Sequence, residues 1–139
     1  MFTLDPTLQN DCHELGSFPL CRLLLCNNKT YPWFILVPQR QGLTELHQLD
    51  PGDREQLWNE SASLSTWLAE VFAADKLNIA ALGNVVSQLH LHHIARYRSD
   101  PAWPKPVWGV GAAVPYTEQE VAALRKRAAA AFAGALSES

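Results

Sequence analysis

A short segment near residue 90 concentrates nitrogen-bearing side chains at a spacing of two residues. It reads Gln88-Leu89-His90-Leu91-His92-His93-Ile94. In an extended strand alternate side chains share a face, so Gln88, His90 and His92 would point one way. His93 would lie on the opposite face with the two leucines, where we expect it to be packed. Because two imidazoles are costly to bury without partners, the pattern predicts a polar site on the first face.

Two neighbouring imidazoles support two kinds of chemistry. An imidazole is a nucleophile toward phosphorus when one ring nitrogen is free and an acceptor holds the other, which sets the tautomer. Alternating histidines can also bind zinc, but such a site needs a third ligand. Only His13, His47 or a distant carboxylate could supply it, and no H-x-x-x-H or H-E-x-x-H spacing accompanies the pair. The sequence therefore favours chemistry without a metal or other cofactor, with a metal site at His90 and His92 as the weaker alternative.

The elements that would carry this segment follow from periodicity and from helix and turn signals. Asp50-Pro51-Gly52-Asp53 supplies a helix cap with proline at the first helical position, and Thr117-Glu118-Gln119-Glu120 is a capping box. The predicted elements are strands over 20–26, 33–37, 76–82 and about 85–95, a long helix over 51–74 and a C-terminal helix over about 117–135. This order predicts an α+β fold, an antiparallel sheet covered on one face by the long helix.

The histidine segment resembles the signature of the histidine triad (HIT) family of nucleotide hydrolases and transferases, in which three histidines alternate with apolar residues. The match runs from Gly83 to Ile94 without a gap and places Gln88 at the first histidine of the triad. The strand beginning Trp33-Phe34-Ile35-Leu36-Val37-Pro38 resembles the family's upstream strand, so the likeness covers about residues 20–109. It implies a HIT-like meander sheet that joins a second subunit in a homodimer.

The resemblance also implies a role for each residue of the segment. His90 is similar in position to the middle histidine, which takes the nucleotidyl group from an α-phosphate while a backbone carbonyl of the motif holds its other nitrogen. His92 would contact the phosphate oxygens. Gln88 would donate a hydrogen bond to phosphate, but it cannot carry a proton as the missing histidine would.

Three asparagines fall near ligand-contacting positions of the family. Asn84 stands where hydrolases of the family have a phosphate-contacting glutamine. Asn27 or Asn28 lies near a ribose contact, although both also suit an ordinary turn. Trp103 and Trp108 lie in a proline-rich loop, where they either anchor the loop or stack on a base.

These features predict an enzyme that cleaves a phosphoanhydride or phosphoramidate bond of a nucleotide conjugate through a nucleotidyl-histidine, by hydrolysis or transfer. The alternative is a nucleotide-binding or sensing module that has lost turnover with the first histidine. Catalytic competence separates the two.

Composition limits the remaining classes of function. With 139 residues, 47% of them hydrophobic, a net charge of -3 and no long apolar run, the chain fits a single cytoplasmic domain, residues 1–139. We expect no membrane or nucleic-acid polymer as a partner. The three cysteines, Cys12, Cys21 and Cys26, contain no C-x-x-C pair and predict neither a disulfide framework nor a zinc site.

Overall fold

A five-stranded antiparallel sheet organises the chain in the computed structural model, which describes residues 1–138. The strands are β1 (Cys12–Ser17), β2 (Cys21–Cys26), β3 (Trp33–Pro38), β4 (Lys76–Ala80) and β5 (Leu91–Arg96), in the spatial order β1-β2-β3-β5-β4. The helices are α1 (Pro6–Asp11), α2 (Pro51–Val71) and α3 (Glu118–Ala131), with a short 3₁₀ turn over Leu46–Gln48. The predicted α+β meander with one long helix and a C-terminal helix is therefore confirmed.

The helix caps form as the sequence predicts. The Asp50 carboxylate accepts a hydrogen bond from the backbone N–H of Asp53 at 2.8 Å and so begins α2. Thr117 and Glu120 complete a reciprocal capping box at the start of α3. Both helices end earlier than periodicity suggests: α2 stops at Val71 rather than at 74, and α3 stops at Ala131 rather than at about 135.

Each face of the sheet packs its own core, because side chains alternate along the strands. The helix face is the face covered by α2 and α3, and its core packs Leu23, Phe34 and Leu36 of the sheet against Leu64 and Leu68 of α2. The site face is the opposite face, and it includes Leu24, Trp33, Ile35, Val37 and Ile94. The N-terminal segment and the loop after β5 cover the site face, so the central strands β3 and β5 are buried on both sides, whereas the edge strand β4 is partly exposed.

The predicted start of the motif strand at about residue 85 is wrong. Residues 81–90 form a loop, and strand pairing begins at Leu91. Gly83 turns the chain with a φ of +83°, a conformation that side chains with a Cβ rarely adopt, and Leu89 N–H then bonds the carbonyl of Leu43. The loop therefore places His90 just before the first residue of β5, outside the hydrogen-bonded pairing of the strands.

Two elements at the N-terminus were not predicted. Helix α1 has only 6 residues, too few to show a helical period, and its start depends on the Asp5 carboxylate capping Thr7 N–H at 2.8 Å. In β1 a register shift between Glu14 and Gly16 interrupts the alternation that identifies strands. Within residues 1–138 no helix is long and apolar enough to cross a membrane.

Candidate active site

His90 lies immediately before β5, 6% exposed, with its ring held by its own chain. Its Nδ1 is 2.7 Å from the backbone oxygen of Gln88. Since a carbonyl oxygen only accepts hydrogen bonds, Nδ1 carries the proton in the neutral ring and Nε2 carries the lone pair. Among residues 1–138 Nε2 has no hydrogen-bond partner. The ring is therefore oriented and presents a free nucleophilic nitrogen.

His92 has the opposite tautomer. The indole Nε1 of Trp33 donates to His92 Nδ1 at 2.9 Å, and an indole nitrogen is a donor only. The proton of the neutral His92 ring is consequently on Nε2, which becomes a hydrogen-bond donor. Burial, followed by the nearby imidazoles of His90 and His93, lowers the pKa of His92 to about 4. His92 thus remains a neutral donor near pH 7.

Two tryptophan rings, which also contact each other, pack against the ring of His92. The centroids of Trp33 and Trp108 lie 5.7 Å and 5.1 Å from its ring. The His90 ring centroid is 5.0 Å away at an interplanar angle of 70°. The two histidines therefore lie side by side in the wall of one space, one offering a lone pair and the other an N–H.

That space is a cavity of about 430 Å³ on the site face. Its wall includes His90, His92, Asn84, Trp108 and Ile35. A neighbouring cavity of about 560 Å³ contains Asn27 and Asn28 and shares Asp11, Cys26 and Trp108 with the first. Each volume is within the range of small-molecule sites. The two cavities together form a groove that runs from the histidines to the first hairpin turn.

Both polar atoms of the Gln88 side chain are already hydrogen-bonded to the backbone. Its Oε1 accepts from the backbone N–H of Asp5 at 2.9 Å, and its Nε2 donates to the carbonyl oxygen of Thr3 at 2.9 Å. The carboxamide therefore binds the N-terminal segment to the histidine loop. A contact of Gln88 with phosphate stays a prediction, and it would require the amide to leave both backbone partners.

The three asparagines differ in their surroundings. Asn84 is exposed in the wall of the histidine cavity. Asn27 Oδ1 accepts from the N–H of Tyr116 at 2.9 Å, and Asn28 Oδ1 accepts from Thr30 and Val114 at 3.2 Å each. Their amide oxygens thus hold the turn and the segment before α3. The ribose and phosphate contacts assigned to these asparagines stay predictions.

His93 has the structural role that its position in the alternation predicts. It is fully buried on the helix face, where its Nε2 is 2.7 Å from Ser61 Oγ of α2 and its Nδ1 is 3.1 Å from Leu91 O. Burial lowers its pKa to about 4, and the bond to the Leu91 carbonyl opposes part of that shift. His93 is thereby separated from the groove by the sheet.

An ion pair missed by the sequence reasoning anchors the loop that carries Trp108. Arg96 and Asp100 are nearly fully buried and form two hydrogen bonds of 2.8 Å and 3.0 Å, which lower the pKa of Asp100 to about 2. The guanidinium also lies 5.8 Å from the ring centroid of Trp103. Trp103 therefore belongs to the anchor, and Trp108 belongs to the groove. Arg96 ends β5 and Asp100 lies in the turn after it, so the helical i,i+4 rule does not apply and the local pattern carried no signal for this pair.

The metal alternative lacks a third ligand in the described part of the chain. Within residues 1–138 no three His, Cys, Asp or Glu side chains lie close enough together to hold a metal ion. His47 lines a separate cavity of about 300 Å³ with His90 and Gln88. His13 lies elsewhere, and its buried Nε2 has no partner within the described residues.

Comparisons with known proteins identify the family and the fold of this chain. The model of the HIT domain family matches residues 7–99. A solved histidine triad protein from Marinobacter aquaeolei VT8 is 48% identical, with 94% of this chain and 96% of that chain covered and a TM-score of 0.91. A histidine triad protein from Sinorhizobium meliloti 1021 is 44% identical over 91% of this chain and 94% of its own, with a TM-score of 0.89. A histidine triad protein from Bradyrhizobium japonicum is 42% identical, with 90% of this chain and 93% of that chain covered and a TM-score of 0.87. No curated protein matches the chain.

Proposed function

The chain belongs to the HIT domain family, and we propose that it is a single-domain enzyme that cleaves a phosphoanhydride or phosphoramidate bond at the α-phosphate of a nucleotide conjugate. Family membership supports nucleotide binding of the HIT type. The proposed cleavage at the α-phosphate is supported by the opposite tautomers of His90 and His92. One ring offers a lone pair and its neighbour offers a proton, which is what attack on a phosphate needs.

The reaction proceeds in two displacements. His90 Nε2 attacks the α-phosphorus, and the bond from phosphorus to the leaving oxygen or nitrogen breaks as the new phosphorus–nitrogen bond forms. His92 Nε2–H donates to a non-bridging oxygen and stabilises the charge that develops there. The Gln88 carbonyl on His90 Nδ1–H stabilises the positive charge of the phosphorylated ring. The oxygen of water, or of another hydroxyl acceptor, then attacks phosphorus, the phosphorus–nitrogen bond breaks to release His90 Nε2, and the attacking oxygen loses its proton to solvent.

Gln88 acts in this scheme as a positioning residue. Its backbone carbonyl orients the His90 ring, while its carboxamide holds Thr3 and Asp5 against the same loop. An amide cannot deliver a proton to the leaving group. We therefore expect rates to fall steeply as the leaving group becomes more basic.

The groove supports an orientation for the nucleotide. The α-phosphate lies at His90 and His92, and the nucleoside extends past Trp108 and Cys26 toward Asn27 and Asn28. Trp108, with 37% of its surface exposed, offers a ring edge or face to the base. Asn84 lies at the phosphate end of the same wall.

A homodimer through the outer edge of β4 completes the proposal. β4 pairs only with β5, which leaves its other edge unpaired within residues 1–138. Ile79 on β4 and Trp58 on α2 are 48% and 70% exposed beside this edge, and both line an apolar cavity of about 490 Å³. Such an edge is normally covered, and a second copy would extend the sheet.

Sedimentation at micromolar concentration should give twice 15.5 kDa, and Trp58→Glu should give the monomer.

Rapid quenching with adenosine and guanosine conjugates of graded leaving-group basicity tests the enzyme proposal. Intact-protein mass spectrometry should show one added nucleotidyl group that is labile to acid, as a phosphorus–nitrogen bond is. The adduct should be absent in His90→Ala and present in His47→Ala, the matched control, whose side chain lines the separate cavity of about 300 Å³ instead of the groove. Nucleotide binding without adduct or product across the panel would replace this proposal with the binding module.

A further inference from the structure

Two cysteines face each other in the wall of the histidine cavity. Cys12 begins β1 and Cys26 ends β2, and the strand register places them directly opposite each other. Both side chains pack with the site-face core and line the cavity that contains His90 and His92. Both are half-buried free thiols. The third cysteine, Cys21, belongs to the core of the helix face and is fully buried.

The hydrogen bonds of the hairpin show which kind of cross-strand pair this is. Asn27 N–H bonds to the carbonyl of Asp11 at 3.1 Å, so residues 11 and 27 form a hydrogen-bonded pair. Hydrogen-bonded and non-hydrogen-bonded pairs alternate along an antiparallel ladder, so the adjacent pair, Cys12 and Cys26, is non-hydrogen-bonded. Side chains approach most closely in such pairs, with Cα atoms typically about 4.5 Å apart. That separation falls within the range of about 4.4 to 6.8 Å at which disulfides form.

The two thiols also differ in reactivity. The interaction with the Cys12 thiol lowers the pKa of Cys26, against the opposing effects of burial and of Asp11. The interaction with Cys26, together with burial, raises the pKa of Cys12. The thiolate is the nucleophile in thiol–disulfide exchange. Cys26 lines both cavities of the groove whereas Cys12 lines only the first, so a small disulfide reaches Cys26 more readily. Cys26 is therefore the attacking thiol and Cys12 the resolving thiol.

We propose that Cys12 and Cys26 form a redox-active dithiol in the wall of the histidine cavity, which a low-molecular-weight disulfide converts into an intramolecular disulfide. Cys26 thiolate attacks one sulfur of the oxidant and releases the first thiol product, leaving a mixed disulfide on Cys26. Cys12 then gives up its proton, and its sulfur attacks Cys26 and releases the second thiol product. Two protein thiols lose two electrons and two protons, and one small disulfide becomes two thiols. Reversible pairs of this kind are the ones found in reducing compartments.

The position of the dithiol couples it to the groove. Cys26 lies in the walls of both cavities that are assigned above to the nucleotide. A bound nucleotide should therefore shield Cys26 and slow its oxidation, an expectation that rests on the proposed function. The disulfide itself does not depend on that function.

Oxidised glutathione is the probe, applied to the native chain, to Cys21→Ala and to Cys12→Ser. After alkylation of free thiols, cleavage after Glu14, Arg22 and Lys29 separates the three cysteines into peptides 1–14, 15–22 and 23–29. The native chain and Cys21→Ala should show peptides 1–14 and 23–29 linked, and a reductant should release them. Cys12→Ser should instead accumulate one glutathione on peptide 23–29, because the resolving thiol is gone.

Three results would overturn the dithiol: complete alkylation of Cys12 and Cys26 after oxidation of the folded native chain, a link that includes peptide 15–22, or a link only between two chains. The same reaction with a non-hydrolysable nucleotide analogue separates the two proposals. A disulfide that forms at an undiminished rate supports the dithiol and counts against nucleotide occupancy of this groove. Absence of the disulfide from the free protein removes the dithiol whatever the nucleotide does.

Discussion

His90 and His93 make the same local hydrogen bond and have different surroundings. Each ring places Nδ1 against the backbone carbonyl two residues earlier, at 2.7 Å for His90 and 3.1 Å for His93. Each therefore has its lone pair on Nε2. At His93 that lone pair meets the Ser61 hydroxyl inside the helix-face core, whereas at His90 it faces the groove.

The comparison shows that the local chain sets the tautomer and the tertiary structure decides its use. An oriented imidazole becomes a nucleophile only where substrate can reach the free nitrogen. The same ring in the core is a hydrogen-bonded spacer between β5 and α2. Two histidines of one short segment can thus be tested against each other.

The largest expected effect is the loss of turnover in His90→Ala. Removal of a covalent nucleophile should lower kcat by about three orders of magnitude or more, with nucleotide affinity within a few-fold of native. Steady-state assays and calorimetry measure the two quantities separately. His90→Ala with near-native turnover would remove the distinction between the two histidines.

His93→Ala should show the reverse pattern. Deletion of a fully buried ring that holds Ser61 and the Leu91 carbonyl should lower the free energy of unfolding by about 3 kcal/mol. The folded variant should keep kcat within a few-fold of native. Urea unfolding and activity on the same preparation provide the measurement, and a large kcat loss in a stable variant would contradict it.

Acid should destabilise the protein through its buried imidazoles. The pKa of His93 is lowered to about 4 from 6.5. Between these two pH values the ring is therefore protonated in the unfolded chain and neutral in the folded protein. The stability that this difference gives the folded state is fully present above pH 6.5 and is lost as the pH falls toward 4. Between pH 7 and pH 5, the free energy of unfolding should fall by about 2 kcal/mol because of His93. His92, whose pKa is lowered likewise, adds in the same direction. Urea titrations at pH 7 and pH 5 measure this change in the free energy of unfolding, which should be smaller in His93→Gln than in the native chain. An equal change in the two proteins would contradict the role given to His93.

The smallest expected effect is that of Ser61→Ala. The hydroxyl is the partner of His93 Nε2, and its removal leaves a buried acceptor unpaired at a cost of about 1 to 2 kcal/mol. Turnover should not change, because the sheet separates Ser61 from the groove. Ser65→Ala is the matched control, since its buried hydroxyl has no partner within residues 1–138, and its loss should cost less than that of Ser61.

Local sequence was sufficient for much of the framework. Alternation alone assigned His92 and His93 to opposite faces of the sheet, and the caps at Asp50 and Thr117 begin their helices as predicted. The resemblance placed His90 and His92 together and predicted the carbonyl that holds His90. The catalytic roles, the dimer and the location in the cell stay predictions.

Distant contacts decided what the site can do. The tautomer of His92 depends on Trp33, 59 residues away, because β3 pairs with β5 in a register that brings the indole to the ring. The Gln88 amide is occupied by Thr3 and Asp5, and Cys12 meets Cys26 only through the β1–β2 register. Period and propensity report on neighbours along the chain, and they carry no information about which donor meets which acceptor across the sheet. Those pairings exist only once hydrophobic burial has set the strand order, since a buried polar group must bond with whatever partner that order places beside it.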